Sequence, residues 1–417
     1  MVLSLLVTVV LARTLGPKDY GLYAYVFSLV SFLAVPIEYG LPSLVIRETA
    51  KGELTAKWNL VKGVWRWSNI ATILYSFLVA SALGISIFLF SSHFSSGQIY
   101  TLAWGAFLLL FMSLCKMRGA ALRGLRHVVI GQFPDAVLRP LFLIVCILGL
   151  VFLWPSHRLT AAYAMMLHGL AGFMAFFVAT WILWKIRPNL LREYASPIYK
   201  TRVWTKATFS LALLAGTRFM SQHVGILALG FFVNQADVGI FKVAAQGGVL
   251  AVFGVQAANM TIAPHFARLY AAGDYSRLQR AVTLSGRASF AIALPIVLIF
   301  FLWGRQILSH VFGPAFVAGY IALVIVAAGQ LSSAVMGAVA YLLNMTGHER
   351  DVARSVAIAV VCDIGLNFVL IPLWGINGAA AAMALSFVLW NGLLWRAAKK
   401  RLGIDSFSFA RLRTKLQ

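Results

Sequence analysis

The sequence predicts an all-α polytopic membrane protein, with about twelve transmembrane helices in two parallel six-helix halves. Three observations carry that expectation. The 417 residues are 61% hydrophobic and only 11% charged, and the mean hydropathy is +0.86. Soluble domains are about half apolar and about a quarter charged, so the surplus apolar surface must face lipid. Basic residues gather in alternate connections between the apolar runs. Motifs from the first half also return in the second at a nearly constant spacing.

Crossing about 30 Å of hydrocarbon at about 1.5 Å per residue takes about 20 residues. Runs of that order lie at 1–15, 21–46, 65–90, 99–115, 133–154, 160–184, 207–233, 238–262, 284–303, 319–344, 352–373 and 376–395. The even connections hold Arg47, Lys51, Lys62 and Arg66, then Lys116, Arg118, Arg123 and Arg126, and later Lys185, Arg202, Arg268, Arg280, Arg350 and Arg354. The odd ones hold only Arg13, Lys18, Arg158, Lys242 and Arg305. That asymmetry predicts that both termini and the even connections are cytoplasmic. The net charge of +23 is therefore mostly topology, and it does not call for nucleic acid. Two longer basic connections, 185–206 and 265–280, read as surface helices. The second sets Phe266, Leu269 and Leu278 against Arg268, Arg277 and Arg280, an interfacial amphipathic pattern.

The repeat is the next signal. Asp19-Tyr20-Gly21 returns as Asp237-Val238-Gly239, Lys51-Gly52-Glu53 as Ala272-Gly273-Asp274, and Arg123-Gly124-Leu125 as Thr346-Gly347-His348, at offsets of 218, 221 and 223 residues. Both copies begin on the same side of the membrane, so the halves are parallel. Transporters of that build place their site near the midplane between the repeats. The expected organisation is a first bundle at 1–184, a cytoplasmic linker at 185–206, a second bundle at 207–395 and a basic cytoplasmic tail at 396–417. The same offset would start the first run upstream of Met1, so it is expected to lack its cytoplasmic end.

Enzyme chemistry is missing from the pattern. There is no Walker loop, HExxH, GxSxG or CxxC pair, hence no phosphate cradle, metal site or activated nucleophile. Cys115, Cys146 and Cys362 lie far apart in apolar runs and read as inert thiols. What remains is charge inside the spans, which costs at least about 2.5–3.5 kcal/mol at mid-bilayer. Glu38 lies about 13 Å from Arg47, Asp363 about 13 Å from Arg354, and Arg218 about 16 Å from Ala207, along a helix. Asp135 and Arg139 stand one turn apart, either a neutralised structural pair or part of the working site. His168 alone reads as a hydrogen-bonded core histidine. No acid lies within four residues of Arg218, so its partner is an acid on another helix or an anionic ligand, with Gln222 one turn away as a further donor.

Several stretches carry a family resemblance. These are Ala12-Arg13-Thr14-Leu15-Gly16-Pro17 with Asp19-Tyr20-Gly21, then Gly40-Leu41-Pro42 with Arg47-Glu48, Leu122-Arg123-Gly124-Leu125, Pro264 to Tyr270 with Gly273-Asp274, and Asn344 with Gly347-His348. Together they resemble the Wzx-type polysaccharide repeat-unit flippases of the MOP superfamily, over nearly the whole chain. The resemblance implies two six-helix bundles around a cationic cavity that alternates between inward- and outward-open states. The implied cargo is a polyprenyl-pyrophosphate-linked oligosaccharide, carried from the inner to the outer leaflet of the cell inner membrane. Polysaccharide polymerase machinery is an implied partner, and the only cofactor is a coupling ion, H+ or Na+. Arg13 matches the arginine that related lipid-linked precursor flippases carry in the same turn. Arg218, Arg139 and Gln222 are cavity candidates by position, and Glu38, Asp363 and Asp135 are the ion-coupling candidates. A multidrug or cation antiporter of the same superfamily is the alternative, although its cavity should be dominated by acids. A glycan polymerase or ligase, or a scaffold, ranks below both.

Overall fold

A computed structural model describes residues 2–409 other than 91, 93, 154–157, 190, 192–195 and 252, with backbone alone at 210, 213–222, 257 and 260. Every regular element among the described residues is helical. The first unit, Met1–His223, contains α1 (Val2–Leu33), a π turn (Pro36–Gly40), α2 (Leu41–Leu54), α3 (Trp58–Leu89) and α4 (Ser96–Gly124). It continues with α5 (Val128–Phe133), a second π turn (Pro134–Leu138), α6 (Arg139–Leu153) and α7 (Ala161–Ile186). The division between units falls inside α8 (Thr201–Phe232). The first turns of α8 belong to the first unit, because Trp204 is buried there with Leu44 and Val64.

The second unit, Val224–Gln417, adds α9 (Gln235–Leu250), α10 (Phe253–Ala271), α11 (Tyr275–Ile307), short turns at Leu308–Phe312 and Pro314–Gly319, α12 (Tyr320–Met336), α13 (Val339–Met345) and α14 (Glu349–Leu402). Seven helices among the described residues are long and apolar enough to cross a membrane, or up to nine spans if each of two bent pairs is one. Each of the twelve expected runs has a helical body. The first two run into one another across Gly16, however, and the last two across Gly375. Both glycines have positive φ, 70° and 53°, which an L side chain adopts only with strain. They replace the polar loops that separate spans elsewhere. The exposed side chains of α3, Ile70, Ile73, Leu74, Phe77 and Leu78, form a stripe fit only for lipid.

The repeat is legible in the helix ends. Gly16 breaks α1 just before Pro17, and 218 residues later Asn234 caps α9, its side chain accepting from the Asp237 backbone N–H at 2.9 Å. Each copy then bends its next helix. The chain turns 58° between α1 and the Pro36–Leu54 segment, and 47° between α9 and α10. At the first bend Pro36 has no N–H to give and its ring crowds the preceding turn.

One expectation for the connections is corrected. Residues 265–280 are not a surface helix. They are the end of α10, a turn at Gly273 with φ 70°, and the capped start of α11. Phe266 and Leu278 are fully buried in the second unit's core with Val282, Leu342, Leu343 and Leu394, because two helix ends close on one another there. The stretch expected as the basic tail folds back onto the second unit at its start. After Gly403 ends α14 in the left-handed conformation, Ile404 enters the same core. Asp405 exchanges two hydrogen bonds with Gln279, and the Ser408 hydroxyl donates to the Val335 carbonyl at 2.6 Å.

Candidate functional site

Charge inside the first unit collects at the bend after α1. The π turn Pro36–Gly40 carries Glu38, whose side chain is 1% exposed and pairs with the Lys116 ammonium of α4. The Ser113 hydroxyl donates to the same carboxylate at 3.5 Å. Lys116 also lies over the Tyr39 ring, 5.6 Å from its centroid. The sequence reading placed Lys116 in a cytoplasmic connection. In the structure α4 continues past it to Gly124, so the ammonium stays within the helix bundle.

A second chain of contacts lies within electrostatic reach of the first. The π turn Pro134–Leu138 holds Asp135, which accepts from Arg139 Nε at 3.0 Å, so the expected pair forms. Arg139 Nη1 also reaches His168 Nε2 of α7 at 2.8 Å, and His168 Nδ1 meets the Tyr23 hydroxyl of α1 at 2.7 Å. A guanidinium can only donate, so Nε2 accepts and the neutral imidazole carries its proton on Nδ1. His168 is also stacked on Phe27, with centroids 5.3 Å apart. The reading of His168 as a hydrogen-bonded core histidine holds, yet its partners are those of the polar cluster. Glu38 and Asp135 are thus matched by Lys116 and Arg139, and the group is charge-balanced. Sequence reasoning missed Lys116, Ser113 and Tyr23. The only available signal was helical continuity through Lys116, which the basic residues after it obscured.

The second unit is arranged differently. Asp363 of α14 is buried and accepts from the Ser386 hydroxyl at 3.0 Å and from Asn367 Nδ2 at 3.2 Å. Among the described residues no base pairs with it. Lys242, expected in an outer connection, lies within α9. There it is part-exposed together with Gln246, while Phe241, Val243, Ala244 and Ala245 around it are buried. No described carboxylate pairs with Lys242. Arg13 is exposed, just before the Gly16 break. Arg218 and Gln222 lie in α8, and their side chains fall outside the described residues. The structure therefore gathers Glu38, Asp135 and Arg139 into one cluster and places Asp363 in the other unit.

Residues 1–270 match the family described as polysaccharide biosynthesis protein. The chain belongs to that family. The probable low-salt glycan biosynthesis flippase Agl15 of Haloferax volcanii is 23% identical over 383 residues, covering 91% of this chain and 76% of that protein. The probable flippase AglR of the same organism is 29% identical over 177 residues, covering 42% of this chain and 37% of that protein. Among solved structures, an inward-facing multidrug resistance MATE family transporter of the MOP superfamily aligns with a TM-score of 0.75 at 16% identity, covering 96% of each chain. The lipid II flippase MurJ, in an inward closed conformation, aligns with a TM-score of 0.74 at 13% identity, covering 95% of this chain and 85% of that one. These likenesses give the fold, which is that of the MOP-superfamily transporters.

Proposed function

We propose that this membrane protein flips a polyprenyl-pyrophosphate-linked oligosaccharide from the inner to the outer leaflet, in an ion-coupled, alternating-access cycle that supplies cell-surface polysaccharide assembly. The observation that carries the reading is the family match over residues 1–270, with the likeness to the Haloferax protein named as a glycan flippase extending it along 91% of the chain. The physical need agrees with it. Each polar group of a glycan pyrophosphate taken into hydrocarbon unpaired costs about 2–7 kcal/mol, whereas fixed cations can replace water around the phosphates. Arg218, Arg13 and Lys242 are the proposed phosphate contacts, with Gln222 beside Arg218. Arg139 is the weaker candidate, since Asp135 and His168 already hold its guanidinium.

For the coupling ion, Asp363 is preferred to Glu38 and Asp135. The latter two already have a base each, while a proton or Na+ would be the counter-charge that no described base gives Asp363. The location is a cell inner membrane with both termini cytoplasmic, and the activity is transport without catalysis.

The deciding experiment reconstitutes the purified protein in vesicles with a fluorescent lipid-linked oligosaccharide and follows its exposure to an external lectin. Wild type should equilibrate the lipid across leaflets. Arg218→Lys should be impaired and Arg218→Ala inactive, both at normal protein level, because a guanidinium grips two phosphate oxygens and an ammonium cannot. The TM-score of 0.75 to a multidrug transporter supports the second reading, an antiporter of organic cations. Ion-driven ethidium movement without movement of the oligosaccharide would establish that reading in place of the first.

A further inference from the structure

We propose that the first unit carries a fixed binding site for the phosphate of an anionic phospholipid, centred on Arg118. Lys116 and Arg118 stand two positions apart on α4, which is about 200° around a helix of about 3.6 residues per turn. Lys116 turns inward to Glu38, so Arg118 leaves α4 on the opposite face. There α3 and α7 both pack along α4, and Arg118 is tied to each wall. Its Nη1 donates to Asn69 Oδ1 of α3 at 2.9 Å, and its Nε donates to Thr180 Oγ1 of α7 at 3.2 Å. Asn69 is itself oriented by donating its Nδ2 to the Trp65 carbonyl at 2.8 Å. The Phe176 ring lies 5.3 Å from the guanidinium carbon.

These partners are all neutral, and no described carboxylate pairs with Arg118. The guanidinium keeps its full charge and the donors of Nη2. Its surroundings face lipid, with Ile70 and Ile73 exposed on α3 and Phe177 and Trp181 exposed on α7. Two more cations flank the groove. Arg66 is exposed one turn before Asn69, and Lys185 Nζ sits 4.1 Å above the Trp181 ring. Arg118 lies about 9 Å along α4 from its end at Gly124, on the side that the basic connections assign to the cytoplasm. A free arginine at that depth would snorkel to water. This one is held on both sides, so the counter-charge must come to it. The anion available there is a lipid phosphate, which basic pockets between helices on the cytoplasmic side bind. The guanidinium can meet its oxygens with a fork of donors, while the acyl chains run over Ile73, Phe177 and Trp181.

The test is native mass spectrometry of the full detergent-solubilised chain, titrated with phosphatidylglycerol or phosphatidylcholine. Wild type should retain phosphatidylglycerol in preference. Arg118→Gln should hold it roughly fivefold more weakly, with phosphatidylcholine unchanged, and Arg118→Lys should fall between. Thr180→Phe keeps the arginine but fills the groove, and it should show a loss similar to that of Arg118→Gln. It also carries the test if Arg118→Gln fails to fold. Arg305→Gln, which removes a cation from α11 in the other unit, should behave as wild type. Equal phosphatidylglycerol retention by wild type and both groove variants would overturn the proposal, as would an equal loss in Arg305→Gln. Displacement of phosphatidylglycerol by farnesyl pyrophosphate at equal concentration would also overturn it, by assigning the groove to the cargo lipid.

Discussion

In the first unit buried Glu38 pairs with Lys116 and part-exposed Asp135 pairs with Arg139, and the four charges cancel. In the second unit Asp363 is as deeply buried as Glu38, and among the described residues it is held by Ser386 and Asn367, both neutral. The two halves descend from one repeated pattern, with a helix break or cap before the second helix and a bend within it, so the contrast does not come from the fold. It lies in what each half does with its acid. A balanced cluster resists losing one member, since each remaining charge would be left in low dielectric without its partner. On the proposed reading, the carboxylate without a described base is where a mobile cation would bind. The first arrangement suits a rigid element and the second suits a switch.

Breaking the balance should have the largest effect. Lys116→Ala leaves Glu38 buried without its cation and should lower stability by about 3–5 kcal/mol, read as a fall in the detergent melting temperature. Adding Glu38→Gln should restore most of it. A single variant that melts like wild type would show that the pair does not hold the bend.

Next in size is the histidine link. His168→Ala removes the acceptor of Arg139 and the neighbour of the Tyr23 hydroxyl, and should cost about 1–3 kcal/mol through the buried groups it leaves unpaired. Transport by whatever folded protein remains should persist. Activity lost at normal stability would move the histidine from scaffold to mechanism.

The smallest effect on stability should come from Asp363→Asn, which keeps shape and can still accept from Ser386, with a change within about 1 kcal/mol. Its effect on function should be the clearest of the three. Transport should lose its dependence on the H+ or Na+ gradient while protein level and melting stay near wild type. Unchanged ion dependence would end the contrast drawn between the units.

Much of the architecture was legible beforehand because lipid imposes a length and a polarity on each span. The all-helical membrane class, the helical body of every run and the Asp135–Arg139 pair all follow from periodicity and hydropathy. Local sequence failed where a helix refused to end. Lys116 and Arg118 looked like the start of a basic connection, and residues 265–280 like one amphipathic surface helix. Charge near a span end does not say whether the next turn is still helix. Nor does it say which way around that helix each side chain points.

By itself, then, the sequence determined that this chain lies in a membrane as helices, that its halves repeat, and which side chains carry charge into the bilayer. Those properties depend on composition and on spacing along the chain. Only the tertiary structure decided that Lys116 neutralises Glu38, that His168 bridges Tyr23 to Arg139, and that Asp363 meets the Ser386 hydroxyl with no described base against it. Each depends on which residue of one helix meets which residue of another, through a bend at Pro36 and a π turn at Pro134–Leu138 whose outcome no local pattern encodes. The energy of a buried charge is set by its neighbours in space, and those are far apart in sequence.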